Sequence, residues 1–353
     1  MRHIHKTSKK SGLIIICVIL VISLSACSEN SLTRHQTGFF DAFDTFISFI
    51  IYTESEAIFQ EHFEAAKAEF VKYHILFDIF NSYDGINNLY TVNKNAGIKP
   101  VVVDREIIDL LIFSKQAYID SGGILNITLG PVLSIWHNYR THGMLNPESA
   151  AIPDYYDLRE AFRHVNINGL IIDEQNSTVF LTEEGMSIDV GATAKSFAAG
   201  RVADMLRKRG VNSAVVDAGG DIVTIGEAAS GGGRPWNIGI RDPNTGDTLD
   251  SVSVNNMAVV GSGGYIRSYV VDGIDYNHII DPNTLMPAWN FLSVTVIHEE
   301  ITVAEMLSTT LFILPFEEGY KLAESFGAAA IWITSDSNVK WNERYSSISA
   351  NIN

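Results

Sequence analysis

Two side chains in the C-terminal part of the chain have the spacing of a ligand pair. In the segment Thr302-Val-Ala-Glu305-Met-Leu-Ser-Thr309, Glu305 and Thr309 are one helical turn apart and share one helix face. A carboxylate and a hydroxyl suit a hard cation such as Mg²⁺, which keeps water or phosphate oxygens in its other positions. The pattern Thr302-x-x-Glu305 is also a capping box, in which Glu305 only binds backbone N–H groups at the helix start. The spacing alone favours the capping box.

A second stretch, residues 187–200, predicts a short strand, a turn of small residues and an amphipathic helix that ends at Gly210. A helix start has unpaired N–H groups and the positive end of the helix dipole, and Lys195 lies in the first turn. The turn is therefore suited to bind an anion. An ordinary strand-to-helix connection with a surface lysine explains the same pattern, and this stretch alone favours that simpler interpretation.

A third stretch contains Gly261-Ser-Gly-Gly-Tyr265 and then His278-Ile-Ile-Asp281-Pro282. The glycine run either lets a ligand approach the backbone closely or forms a hairpin turn. His278 is a candidate general base, and Asp281 either orients it or stabilises the turn before the proline. A packed or exposed histidine without a catalytic role is the default interpretation in a chain that has 10 histidines.

Composition and charge exclude several classes of function. The 353 residues are 46% hydrophobic, which is enough for one large domain or two medium ones. The two cysteines are Cys17 and Cys27, so the chain after residue 27 has none for a disulfide, a thiolate metal site or a nucleophile. The net charge of −16 argues against binding to nucleic acid. An acidic protein that binds a phosphorylated ligand needs a compensating charge, and a divalent cation held by carboxylates would supply it.

The N-terminal residues predict export and a lipid anchor. A basic start, an apolar run over residues 13–24 and the sequence Leu24-Ser-Ala-Cys27 are typical of a lipoprotein signal peptide. We therefore predict a signal peptide over residues 1–26, a lipidated Cys27 and a tether over residues 27–38. The mature protein is then expected outside the cytoplasm, anchored to the bacterial cell membrane through Cys27. A plain signal peptide cut nearby is the alternative.

The elements that must position these side chains predict an α+β fold. Residues 46–52 favour a strand, and a helix that starts at Ser55 presents an apolar stripe at steps of three and four. Asp104 caps another predicted helix, which stops at Gly122-Gly123. Strands are predicted at residues 170–172, 179–181, 214–216, 236–240, 251–260, 292–297 and 328–334. The strands form antiparallel groups with helices interspersed, which predicts one compact domain over residues 39–350 with largely antiparallel sheets and packed helices.

Together these motifs resemble the ApbE family, the FAD:protein FMN transferases, with its T-fold-like domain. The resemblance covers almost all of the mature chain. It is carried by six motifs that occur in the family's order: Asp189-Val-Gly-Ala-Thr-Ala-Lys195, Gly219-Gly-Asp221, Gly261-Ser-Gly-Gly-Tyr265, His278-Ile-Ile-Asp-Pro282, Ser293-Val-Thr-Val296 and Ala304-Glu-Met-Leu-Ser-Thr309.

The resemblance implies a Mg²⁺-dependent enzyme that uses FAD as substrate. A Ser or Thr hydroxyl of an acceptor protein, expected to be a secreted or membrane-bound redox protein, attacks the pyrophosphate; AMP leaves and FMN remains as a phosphoester. Glu305, Thr309 and the Ala192 carbonyl match the family's metal ligands, and His278 matches its proposed base. The residues that match its FAD contacts are Phe43, Tyr83, Ile124, Leu125, Asn126, Asp189, Lys195 and Gly263.

Some residues depart from the family pattern. Glu305 stands where the family usually has Asp, Asn126 also replaces an Asp, and Leu285 replaces a Gly. Ser196-Phe197 replaces Gly-Tyr after the lysine. Two alternative functions are an FAD pyrophosphatase, in which water is the acceptor and FMN and AMP are released, and a non-catalytic lipoprotein that binds flavin.

Overall fold

The structure is a computed structural model that describes residues 32–230, 232–265 and 267–352. The predicted signal peptide and Cys27 lie outside the described residues. The strand Thr33–Ala42 begins inside the segment that was predicted as a tether, because residues 33–39 pair in continuous register with the strand Thr45–Thr53. The ordered domain therefore begins about six residues before the predicted boundary at residue 39.

The strands, in chain order, are β1 Thr33–Ala42, β2 Thr45–Thr53, β3 Val101–Val102, β4 Leu170–Asp173, β5 Thr178–Leu181, β6 Ala214–Ala218, β7 Asp221–Ile225, β8 Trp236–Arg241, β9 Thr248–Val254, β10 Ala258–Gly263, β11 Ser268–Val271, β12 Ile274–Asn277, β13 Phe291–His298, β14 Ala329–Thr334 and β15 Val339–Trp341. The helices are α1 Glu56–Phe77, α2 Leu89–Lys94, α3 Arg105–Asp120, α4 Gly130–Leu145, α5 Tyr155–Phe162, α6 Ala194–Lys208, α7 Ile301–Ile313, α8 Phe316–Ser325 and α9 Glu343–Ser346. Short 3₁₀ helices cover Ile127–Leu129, Pro147–Ser149 and Ile167–Gly169.

An eight-stranded antiparallel sheet organises the fold, with the strand order β1-β2-β6-β7-β10-β13-β14-β15. Helices α1, α6 and α7 contribute their buried side chains to the main core on one face of the sheet. The β8-β9 hairpin and α9 cover the other face through a second core. A third, smaller core joins α4 and α5 to the β11-β12 hairpin. These layers confirm the predicted α+β class.

Local sequence explains where the predicted helices begin and end. The Ser55 side chain accepts a hydrogen bond from the N–H of Ile58 at the start of α1, and the predicted apolar stripe of α1 is buried. Asp104 caps α3 in the same way through the N–H of Glu106. Gly122, just after α3, has a φ of +65°, a left-handed conformation that glycine adopts without strain.

The strand predicted over residues 251–260 is two strands. β9 ends at Val254 and β10 begins at Ala258, and between them Asn256 has a φ of +52°, which breaks the extended backbone. The Gly261-Ser-Gly segment is the end of β10 and is paired with β13, so it is not a hairpin turn. Within the described part of the chain, no helix has both the length and the hydrophobicity to cross a membrane.

The ends of neighbouring strands bring the motifs of the sequence together. In an antiparallel sheet, the last residue of one strand lies next to the first residue of its neighbour. One edge of the sheet therefore contains the ends of β1, β6 and β10 and the starts of β2, β7 and β13. Asp221 begins β7, and Gly263 ends β10, so the glycine-containing motifs after β6 and in β10 lie at the same edge.

Gly219 lies in the turn between β6 and β7, and substituting it tests whether the space next to Thr45 at this edge is limited. We expect Gly219→Ala to lower the free energy of unfolding by about 2–4 kcal/mol, because its φ is +64° and the new Cβ would overlap Thr45 Oγ1 at the start of β2. Gly122→Ala is the matched control: its φ is +65° and its Cβ would meet no atom within 4 Å, so only roughly 1–2 kcal/mol is expected. Equal losses in denaturant unfolding would show that the contact with Thr45 is unimportant.

Candidate functional site

Glu305 does not cap its helix. Helix α7 begins at Ile301 after Glu300, and no side chain caps its N-terminus, so the capping-box interpretation is wrong. The Glu305 side chain is instead buried, with 9% of the residue exposed, and its carboxylate accepts a hydrogen bond from the Ser196 hydroxyl in the first turn of α6. The two helices that carry the first and second motifs therefore meet at this contact.

Asp221 joins the same contact, although it was not among the predicted site residues. The Ser196 hydroxyl lies within hydrogen-bond reach of Asp221 as well, and the Lys195 ammonium forms an ion pair with Asp221 and donates to the Ala218 carbonyl at 2.9 Å. The signal for Asp221 in the sequence is an acidic residue that directly follows a Gly-Gly turn. Lys195 was expected to attract an anion, but its charge is largely balanced by this carboxylate.

Two buried carboxylates thus lie side by side, and one lysine forms an ion pair with the Asp221 member of the pair. Burial raises the pKa of Glu305 well above its usual range, and the neighbouring Asp221 charge raises it further. Two adjacent carboxylates in a buried position are stable as anions only if a cation balances them. This arrangement fits the predicted cation site.

Three hydroxyl groups lie together where the next turn of α7 contacts β10. Ser262 Oγ, near the end of β10, lies 2.9 Å from Ser308 Oγ and 3.4 Å from Thr309 Oγ1. Thr309 is thus next to β10 while Glu305, one turn earlier in α7, is next to α6. Among the described residues, no three His, Cys, Asp or Glu side chains form a metal-binding group, so a cation here would depend on hydroxyl and carbonyl ligands as well. An all-oxygen set of this kind is what Mg²⁺ prefers.

The predicted carbonyl ligand, Ala192, belongs to a turn that is fixed on both sides. Asn93 holds the residue before the turn, because its side chain accepts from the Ile188 N–H at 2.7 Å and donates to the Ile188 carbonyl at 2.9 Å. The Asp189 carboxylate accepts from the Gly191 N–H at 2.8 Å. Ala192 follows this contact and is four residues before Ser196, so the turn leads directly into the contact with Glu305.

Asp189 is close to a group of basic side chains on α4. Burial raises the pKa of Asp189, while the charges of His137 and Arg140 act in the opposite direction. The Asp189 N–H donates to the carbonyl of Ile127 at 2.8 Å, which fixes the turn against the 3₁₀ helix that precedes α4.

The predicted FAD contacts at residues 124–126 are mostly engaged within the protein. Leu125 is only 3% exposed and belongs to the main core, and Ile124 is partly buried against it. The Asn126 side-chain oxygen accepts from both the N–H and the hydroxyl of Thr128, at 3.0 and 2.8 Å. Asn126 therefore acts as a cap for the 3₁₀ helix in this structure.

His278 follows the β11-β12 hairpin, and its imidazole is neutral at pH 7. Burial lowers the pKa of His278 to about 4, and the positive charges of Arg267 and Arg140 lower it in the same direction. Its Nδ1 atom is buried and has no hydrogen-bond partner among the described residues. Asp281 stabilises the following turn, since its carboxylate accepts from the Asn283 N–H at 2.8 Å.

Phe43 and Tyr83 lie near the start of β2. Phe43 has a φ of +56° in the turn between β1 and β2, its N–H donates to His74 Nδ1 at 3.3 Å, and its ring packs edge-on against Phe70 and His74. The Tyr83 hydroxyl donates to Asp78 at 2.9 Å. Both rings are partly accessible to solvent.

Two segments of backbone connect the carboxylate cluster with the basic group around His278. Residues 189–196 run from Asp189, beside Arg140, to Ser196, beside Glu305. The end of β10 runs from Ser262, beside Thr309, through Gly263 to the loop that carries Arg267. A Cβ at Gly263 would overlap the ring of Tyr265, so this connection has no space for a larger residue. Lys195, Glu305 and Thr309 therefore belong to one cluster and Asp189 and His278 to a second, and these two backbone segments join the clusters.

The chain is similar to known proteins over most of its length. The model of the ApbE family matches residues 43–332. The FAD:protein FMN transferase of Treponema pallidum is 36% identical over 267 residues, which cover 71% of this chain and 72% of that protein. The FAD:protein FMN transferase of Klebsiella pneumoniae is 30% identical over 293 residues, which cover 82% of this chain and 86% of that protein.

The fold comparison gives the same result. The crystal structure of the ApbE protein from Thermotoga maritima superposes with a TM-score of 0.79 at 26% identity, and the match covers 90% of this chain and 99% of that chain. The motifs, the fold and the sequence relatives together establish that this chain belongs to the ApbE family.

Proposed function

We propose that this protein transfers the FMN part of FAD to a Ser or Thr hydroxyl of an acceptor protein, with the aid of a divalent cation. The hydroxyl oxygen forms a bond to the FMN-side phosphorus, the bond to the AMP phosphate breaks, and AMP leaves. The observation that carries the proposal is the pairing of a buried, oxygen-rich carboxylate cluster with a neutral histidine at the same end of the sheet. The activity for which the Treponema and Klebsiella relatives are named supports it.

The carboxylate cluster fits a cation that would offset the charge of the pyrophosphate. Glu305, Thr309 and the carbonyl of Ala192 would hold it, and when bound it would stabilise the negative charge that develops on the phosphoryl oxygens. Asp221 would lie next to the cation rather than on FAD. Lys195 then has the role of holding Asp221 in place through its ion pair, with only a weak direct effect on the substrate.

His278 would accept the proton of the acceptor hydroxyl. A general base must have a free nitrogen at the working pH, and the lowered pKa keeps the imidazole neutral at pH 7. The arginines that lower the pKa also mean that the imidazolium formed by proton transfer is not stabilised until the anionic substrate is bound nearby. This dependence would favour proton transfer only in the complex with FAD.

The proposal includes an exported, lipid-anchored protein. The signal-peptide pattern and the sequence Leu24-Ser-Ala-Cys27 support an anchor at Cys27. The acceptors would then be secreted or membrane-bound redox proteins on the same side of the membrane.

A single incubation separates this function from its alternatives. The purified protein is mixed with FAD, Mg²⁺ and a candidate acceptor protein that has a Ser or Thr in a flexible segment. FMN transfer adds the mass of an FMN phosphoester to the acceptor and releases AMP. Free FMN with AMP would instead indicate a pyrophosphatase, and unchanged FAD would indicate a binding protein.

The cation site predicts the effect of two substitutions in α7. We expect Glu305→Ala and Thr309→Ala each to reduce Mg²⁺-dependent AMP release by roughly 100-fold or more, because each removes a ligand oxygen next to the pyrophosphate charge. Thr302→Ala, on the same helix one turn before the site, is the control and should retain wild-type rates. Full activity of both site variants would refute the metal assignment.

Substitution of His278 should separate chemistry from binding. We expect His278→Ala to slow FMN transfer by about 10²–10⁴-fold while FAD affinity is largely retained, since the base acts on the acceptor hydroxyl. Transfer is followed by the mass of the acceptor, and affinity by the quenching of flavin fluorescence. A parallel loss of both would reassign His278 to FAD binding.

The lowered pKa of His278 gives a test that needs no substrate. In an NMR titration of the folded protein, the His278 ring signals should have their midpoint near pH 4, well below the ordinary value of 6.5. Between these values the unfolded chain binds a proton at this residue and the folded chain does not, so this residue makes the fold more stable as the pH rises from 4 to 6.5. A midpoint near 6.5 would contradict the burial of the imidazole next to two arginines.

A further inference from the structure

We propose that Arg140, together with Arg267, forms an anion subsite for the FMN-side phosphate of FAD. This inference rests on the proposed function. It adds a positively charged group to the site, in addition to the cation that the carboxylate cluster is proposed to hold. It assigns a role to a residue that none of the sequence motifs includes.

The geometry of α4 directs Arg140 towards His278. Trp136, Arg140 and Gly143 are spaced four and three residues apart, so they lie along one face of the helix. Trp136 Nε1 donates to the carbonyl of Leu285 at 2.9 Å, in the segment that follows His278. At the other end of this face, a Cβ at Gly143 would overlap the ring of Tyr269 in β11. Arg140 lies between these two contacts and therefore faces the base of the hairpin, where the chain reaches His278.

The charge of Arg140 is only partly balanced by the surrounding protein. Its guanidinium is half-buried, and its side-chain hydrogen bond is to His137 Nδ1, at 3.2 Å. Within residues 32–230, 232–265 and 267–352, neither Arg140 nor Arg267 forms an ion pair with a carboxylate. Burial and the neighbouring Arg267 charge lower the pKa of Arg140, and the Asp189 charge offsets only part of this effect. A half-buried guanidinium that forms no ion pair with a carboxylate is a suitable partner for an anionic ligand.

The unpartnered nitrogen of His278 points to the same place. Its Nδ1 atom is buried without a hydrogen-bond partner in the described part of the chain, so its hydrogen-bonding capacity is not met by the protein there. If His278 accepts the hydroxyl proton, the hydroxyl oxygen lies about 3 Å from the imidazole, and the phosphorus lies about 3–3.5 Å from that oxygen. The reacting phosphate would therefore be next to His278, at the base of the hairpin that the Arg140 face of α4 packs against.

The arginine pair and the proposed cation are two positive centres, and each suits one of the two phosphates of FAD. A guanidinium offers parallel N–H donors that bind two phosphate oxygens at once. The carboxylate cluster instead suits a cation that shares oxygens with the diphosphate. The two centres would hold the diphosphate at both ends, and the FMN-side phosphate would be the one beside the base.

Binding of FMN and riboflavin by the full protein tests this subsite, because the two flavins differ only by the phosphate. We expect Arg140→Gln to weaken FMN binding by about 10- to 100-fold, the effect of losing one charged hydrogen-bond donor pair, and to leave riboflavin binding unchanged. Arg140→Lys, which keeps the charge but not the paired donors, should have an intermediate effect. Arg163→Gln, an exposed arginine paired with Glu160 on α5, is the control and should bind both flavins like the wild type.

The outcomes are distinct. Unchanged FMN affinity in Arg140→Gln overturns the subsite. An equal loss for FMN and riboflavin in both variants of Arg140 also overturns it, because it would mean that the residue only supports the fold. Either of these two results overturns only the subsite. The proposed function still stands as long as the wild-type protein binds FAD and transfers FMN. If the wild type binds neither flavin and transfers nothing, the proposed function fails along with the subsite.

Discussion

The candidate site depends on the contact between two acidic side chains that come from distant parts of the chain. Asp221 begins β7 and Glu305 lies in α7, and both carboxylates contact the hydroxyl of Ser196 at the start of α6. Placing two such groups in the protein interior costs folding free energy unless a positive charge accompanies them. Lys195 supplies one such charge, and a bound cation would supply the other. A bound cation of this kind, as proposed above, would therefore stabilise the fold as well as the site.

The antiparallel sheet makes this meeting possible. Because neighbouring strands run in opposite directions, one edge of the sheet collects the end of β6, the start of β7 and the end of β10. Helices α6 and α7 lie on one face of the sheet. Where they contact the strand ends, the side chains of Ser196, Asp221 and Glu305 meet. The rigid sheet thus fixes side chains that are separated by about a hundred residues of sequence.

Much of this arrangement could be predicted from sequence, and the errors have physical causes. The stripe of α1 and the cap at Asp104 depend on local patterns, so they were predicted correctly. The capping box at Glu305 failed because a tertiary contact, the hydrogen bond from Ser196, determines where that carboxylate points. Arg140 could not be found at all, because an arginine in an ordinary helix has no local pattern that distinguishes it. Only the packing of α4 on the hairpin shows where its charge lies.

Two departures from the family pattern become understandable together in the structure. Glu305 stands where the resemblance noted in the sequence implies an Asp, and Ser196 stands where it implies a Gly. These two residues are hydrogen-bonded to each other. A glutamate is one methylene longer than an aspartate and has one more rotatable bond, so by itself it would hold a ligand oxygen less firmly. The hydroxyl of Ser196 restricts that freedom, and a glycine at this position has no side chain that could do so. The Ser196 hydroxyl would therefore help to position the Glu305 carboxylate for the cation proposed above.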